Sequence, residues 1–284
     1  MSADQRGEHR SAHGPSRVRR WIMTHPRLSR ATFAVSVVIV LLTILAVARA
    51  TKALDPNLWQ LLELPLVDGA RNTIILSLTI IPLGLGIGFT VGWARFSRHP
   101  IISWPATLYV DFIRGVPPLV LILFAFFWIP SLFAGASFES GLAFAAFALA
   151  MHTGAYQAEI FRAGFQAVAR GQIEAGEAVG LSKGQVMANV ILPQTFRVTL
   201  PALGNEFALV IKDSSLLSIV GATDLAYWGK QSELGLLRLG SIEWVMLAWL
   251  IIALVYFVVT YMVTQAVGAV EQSYRVPGIG SVAF

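Results

Sequence analysis

The chain has 284 residues, of which 56% are hydrophobic and 13% charged, with a formal net charge of +5. So few charges exclude an ordinary soluble domain, where about a quarter of residues are charged, and identify an integral membrane protein. The sequence contains no cysteine, which excludes disulfides, thiol chemistry and cysteine-ligated metal.

Seven arginines crowd the first 30 positions. That bias suits the cytoplasmic face of a membrane better than a nucleic-acid surface, so residues 1–30 read as a basic cytoplasmic tail. Ala31–Ala48 is the first uncharged run long enough to cross a bilayer and marks an extra N-terminal transmembrane helix over 31–50. An arginine-rich leader ending at Ala48-Arg49-Ala50 mimics a secretory signal, but its 18-residue apolar run exceeds the usual length of about 7–15, which disfavours cleavage. The next span, Asn72–Ala94, carries Gly84, Gly88 and Gly92 at four-residue intervals, a stripe that admits a second helix at close range. Packing within one subunit is the preferred reading over a dimer seam, and Pro82 is expected to kink the helix. Gly115–Phe138 follows, with Pro117 and Pro118 placed to start a helix rather than interrupt one. Ser140–Ala158 contains His152, which has no second metal-type residue at helical spacing and reads as a packing histidine. Val198–Thr223 and Trp244–Val270 complete six spans, giving an all-α, polytopic membrane fold. Arginine and lysine are richer on the side that holds both ends, which places both termini in the cytoplasm.

Val198–Thr223 is the span with charge inside it: Glu206, Lys212 and Asp213, accompanied by Asn205, Ser214 and Ser215. Ionisable groups at membrane depth are costly and usually face a polar interior or pathway. Glu206 and Asp213 are two helical turns apart, on the order of 10 Å along one face, while Lys212 projects about 100° away from Asp213. Two stacked carboxylates suit a cationic group such as an ammonium; the plainer alternative is that these charges bond to neighbouring helices.

One polar stretch, "GQIEAGEAVGLSKGQVMANVILPQ" at 171–194, has the punctuation of two short helices. Glu174, Ala175, Glu177 and Ala178 favour helix, and Gly180 stands where a left-handed C-cap belongs. Ser182 and Gln185 form a capping-box signature, and Pro193 is expected to stop the second helix. Leu181 reads as an apolar knob at the elbow, on the cytoplasmic side. A DNA-binding helix-turn-helix needs a positive surface; here Arg170 and Lys183 cancel Glu174 and Glu177, so a contact with another protein is the better reading and nucleic acid is excluded.

This stretch resembles the EAA loop of ATP-binding-cassette importer permeases, with Glu174, Ala175, Gly180, Leu192 and Pro193 at matching positions. "AYQAEIFRAGFQAV" at 155–168, "PALGNEF" at 201–207 and "KDSSLLSIVG" at 212–221 look like the branch that imports polar amino acids. The resemblance covers about residues 66–275. It implies a five-helix type I importer core with one helix added at the N-terminus, and a coupling loop over 166–197 in which Glu174, Ala175, Gly176, Ala178, Gly180, Leu181 and Ser182 meet a separate ATPase subunit. It further implies a second permease subunit, as a homo- or heterodimer, an extracytoplasmic substrate-binding protein, and a pathway reached by Glu206 and Asp213. Gly176 departs from the second alanine of the motif, Val190 from isoleucine, and Val116 and Leu121 from the threonine and glutamine of RGTPLLVQ.

The chain has no G-x-x-x-x-G-K-[ST] stretch. It is therefore expected to be non-catalytic and to need no cofactor of its own, with magnesium–ATP used by the partner. The rival function is an ATPase-independent secondary transporter or channel that uses the intramembrane carboxylates for protons or sodium. An intramembrane enzyme is disfavoured, since His152 and scattered serines form no nucleophile–base set.

Overall fold

A computed structural model describes residues 65–133 and 137–273. The basic tail, the helix expected at 31–50 and the residues after 273 lie outside them. All regular structure among the described residues is helical. A π-turn at Pro65–Gly69 leads into α1 (Ala70–Phe96), followed by α2 (Pro100–Gly115), α3 (Pro118–Ser131) and α4 (Phe138–Gln166). The elbow is built from α5 (Arg170–Ala178) and α6 (Lys183–Val186), after which come a π-turn at Met187–Ile191 and α7 (Leu192–Asp213). A 3-10 turn at Ser214–Val220, α8 (Leu225–Arg238), a short 3-10 turn at Ile242–Trp244 and α9 (Val245–Ser273) complete the fold.

By length and apolarity, Val67–Phe96 and Val245–Glu271 can each cross a membrane. Within the run expected to span the membrane over 115–138, the helix starts at Pro118, as the prolines predict, but ends at Ser131, and a separate helix, α2, precedes it. Val116 and Pro117 are extended (ψ 132° and 136°), and α2 and α3 meet at 102°. The cause is local: each proline drives the residue before it out of the helical region, so the helix can restart only at Pro118. At 14 residues α3 is about 21 Å long, short of the roughly 30 Å hydrocarbon core.

The glycine stripe does pack within the chain. Cβ atoms added at Gly84, Gly88 and Gly92 would meet Thr153, Gln157 and the Ala158–Phe161 turn respectively. The partners advance in step with the glycines, so α1 and α4 run parallel, and Ile80, Ile122, Leu149, Val210 and Leu217 fill a core between α1, α3, α4 and α7. α1 continues as one helix through Pro82. α7 runs antiparallel to α4, since Gly164 faces Thr195 and Thr199 while Thr153 faces Glu206. The ends of α1 and α4 thus lie at one end of the bundle, with the elbow and the start of α7. The start of α1, the 3-10 turn after α7, and α8 lie at the other.

Pro193 does not stop the second elbow helix. The π-turn Met187–Ile191 carries the chain onward, and Leu192 N–H donates to the Met187 carbonyl five residues back. A widened turn relieves the crowding that a proline ring imposes on the preceding carbonyls, so Lys183–Asp213 is helical without a break.

Candidate functional site

The elbow owes its shape to two caps. At the end of α5, Gly180 N–H donates to the Glu177 carbonyl at 3.0 Å and Leu181 N–H to the Gly176 carbonyl at 3.1 Å, the paired bonds of a Schellman motif. Gly180 has φ +88°, a conformation that only glycine adopts without strain. Ser182 then caps α6: its N–H donates to Gln185 Oε1 at 2.8 Å, while Gln185 N–H donates to Ser182 Oγ at 3.4 Å. Glu174, Ala175, Ala178, Gly180 and Ser182 are exposed, and Glu174 pairs with Arg170 Nε at 2.9 Å. Gly176 is buried against Val186 and Val190. Leu181 is not the exposed knob expected of it. As the residue that closes the Schellman motif it folds back onto Gly176 and lies half-buried against the apolar cluster that includes Phe165, Val186 and Ile191, and the apolar tip of the elbow is Val179, 78% exposed.

The charged helix is one continuous element from Leu192 to Asp213. Glu206 is buried, with 9% exposure, and its Oε1 accepts from Thr153 Oγ1 on α4 at 3.0 Å. Gln157 Nε2 donates to that hydroxyl at 3.0 Å. Asp213 is half-buried at the helix end; Asn205 and Lys212 are exposed. Ser214 is fully buried and donates to the Ile211 carbonyl at 2.8 Å, and Ser215 accepts from Ser218 through its carbonyl at 2.6 Å. The two serines therefore serve the 3-10 turn. His152 is buried against the Tyr156 ring, centroids 5.1 Å apart, as a packing residue.

The model of the binding-protein-dependent transport system inner membrane component matches residues 80–276, most of the chain. The chain belongs to this family. Among similar members of known designation, a probable glutamine ABC transporter permease of Bacillus subtilis (strain 168) is 32% identical over 206 residues, 72% of this chain and 91% of its own. The glutamine transport system permease of Escherichia coli (strain K12) is 31% identical over 219 residues, 77% and 96% of the two chains. The structure of an amino acid ABC transporter with histidines superposes with TM-score 0.63 at 30% identity, covering 74% of this chain and 94% of that one. The MetNI methionine transporter, at 19% identity and TM-score 0.63, shares the fold.

Two polar clusters of this inner membrane component were not evident from sequence patterns. At the elbow end, Glu159 on α4 accepts from Arg95 of α1 and from Arg162 Nε and Nη2 at 3.0 and 2.8 Å, and Arg114 of α2 stands 3.7 Å away with its guanidinium over the Tyr156 ring. This cluster ties three helices together. At the opposite end, Asp224 is fully buried and caps α8 by accepting from Tyr227 N–H at 2.9 Å; Tyr256 of α9 donates to its other oxygen at 3.1 Å. Thr73 of α1 accepts from Leu225 N–H at 3.0 Å, and Asn72 donates to the Thr223 carbonyl at 2.7 Å. Burial pushes the Asp224 carboxyl up to about 6, against which its hydrogen bonds pull only partly. The one signal for it was an aspartate directly ahead of an apolar-periodic run, the pattern of an N-cap.

Proposed function

We propose that the chain is the membrane-spanning subunit of an ATP-binding-cassette importer for polar amino acids, with both termini in the cytoplasm. Substrate arrives from an extracytoplasmic binding protein, passes between this chain and a second permease subunit, and is moved by alternating access driven by separate ATPase subunits. The observation that carries this reading is the elbow: two capped helices held outside the bundle, with Val179, Gly180 and Ser182 exposed while Gly176 and Leu181 anchor them from beneath. A protein that transports without an ATPase has no use for such a projection. The glutamine and arginine permeases among the relatives support an amino-acid cargo. Glu206 and Asp213, with Asn205 and Lys212 beside them, supply the polar contacts along the pathway, and the carboxylates attract the cargo's ammonium group.

The test is transport in proteoliposomes with and without the ATPase subunits. Uptake should require them. Gly180→Val forces a β-branched residue into positive φ, which costs on the order of 1–3 kcal/mol locally, and should abolish ATPase association while membrane insertion stays normal. Glu206→Gln and Asp213→Asn should each weaken uptake. Uptake that continues without the ATPase would overturn the reading in favour of a secondary transporter.

A further inference from the structure

Glu206 belongs to α7, yet it is α4 that holds its carboxylate. Thr153 Oγ1 donates to Glu206 Oε1 at 3.0 Å, and one turn along α4 Gln157 Nε2 donates to Thr153 Oγ1 at 3.0 Å. A hydroxyl has a single proton. With an amide N–H occupying a lone pair of the threonine oxygen, that proton is committed to Glu206. Thr153 is 2% exposed and Gln157 not at all, so bulk water does not compete for either.

Helix α1 closes the back of the chain of bonds. A Cβ at Gly84 would stand 2.6 Å from Thr153 Cγ2 and 3.3 Å from Gln157 Nε2, and one at Gly88 would stand 2.5 Å from Gln157 Cβ. The two glycines therefore keep the room that Thr153 and Gln157 occupy. Gln157 Oε1 is buried without a partner. Leaving an amide oxygen unpaired is unfavourable, so packing alone does not account for a glutamine at this depth. The N–H it gives to Thr153 does.

We propose that Thr153 and Gln157 are positioning residues that hold Glu206 by one carboxylate oxygen and leave the other to meet the cationic group of the cargo. The proposal rests on the reading of Glu206 as a cargo-facing group. It concerns the orientation of that group, which no feature of the sequence reveals, because Thr153 and Glu206 are 53 positions apart.

The experiment uses the complete importer in proteoliposomes, with the radiolabelled amino acid that the unsubstituted protein carries fastest. Thr153→Val, which matches the shape and removes the hydroxyl, should raise KM about tenfold while maximal uptake and ATP hydrolysis stay within about twofold. Thr153→Ser should restore the KM. Gln157→Leu should raise it a few-fold, and supplies the same comparison if the valine variant does not assemble. In the doubly substituted protein, Thr153→Val should add nothing to the effect of Glu206→Gln. An unchanged KM in Thr153→Val and Gln157→Leu, an equal fall in uptake and ATP hydrolysis at constant KM, or additive effects in the double variant would overturn the proposal. If Glu206→Gln itself leaves KM unchanged, the cargo-facing reading fails; if it raises KM while the two positioning variants are silent, only the positioning role fails.

Discussion

Replacing Gly176 by alanine should strengthen the elbow, because the space for the new methyl group is already there. Gly176 lies in α5 with helical backbone, and an added Cβ would sit 3.4 Å from Val186 Cγ2, 3.5 Å from Val190 Cγ2 and 3.6 Å from Leu181 Cδ1. These are ordinary contact distances, so nothing has to move. Alanine is favoured over glycine inside a helix by about 0.8–1.0 kcal/mol, and burying one methyl group adds roughly 0.8 kcal/mol. The two together bound the gain at between about 1 and 2 kcal/mol. The methyl group also meets Leu181, completing the apolar contact that usually accompanies a Schellman motif. Hydrogen exchange is the direct assay: the Gly180 and Leu181 amides, bonded to the Glu177 and Gly176 carbonyls, should exchange about tenfold more slowly, the factor that corresponds to 1.4 kcal/mol. Faster exchange at these two amides would refute the account of how α5 packs on the following turn.

The opposite outcome is expected at Gly88→Ala. Its Cβ would lie 2.5 Å from Gln157 Cβ and 3.1 Å from the Gly154 carbonyl oxygen, both rigidly placed, and carbon atoms prefer about 3.5–4.0 Å. Helices α1 and α4 must part by about 1 Å, at a cost of about 1–3 kcal/mol, seen as a lower unfolding midpoint in detergent; an unchanged midpoint would argue against the parallel packing of these helices. Asp224 makes stability depend on pH. Its folded-state carboxyl, raised to about 6, keeps a proton that the unfolded chain releases near 4, so its contribution is full below about pH 4 and lost as pH rises through about 6. Asp224→Asn preserves an N-cap side chain and should flatten the change in unfolding free energy between about pH 4.5 and 7.5; an unaltered slope would assign the pH dependence to another group.

Much of the architecture is legible in local chemistry. The Ser182–Gln185 capping box, the glycine C-cap at 180, the helix start at Pro118 and the glycine stripe of α1 each depend on residues within a turn or two of one another, and each is found where the sequence places it. Pro193 was misleading because a proline's effect depends on the hydrogen-bond pattern before it, and a π-turn changes that pattern without altering composition. The exposed tip moved from Leu181 to Val179 for a similar reason: the Schellman geometry decides which neighbour of the glycine turns inward. The Glu159–Arg95–Arg114 cluster and the Asn72, Thr73 and Asp224 bonds join residues on separate helices, as much as 152 positions apart, and side-chain periodicity does not report which faces meet.

The unbroken run from Lys183 to Asp213 spans 31 residues, about 45 Å at 1.5 Å per residue. Glu206, 23 residues along it, is thereby tied to the elbow through one continuous helix. The π-turn at Met187–Ile191 is the one place along that path where the α-helical bonding pattern is interrupted, and such bulges are where long helices bend.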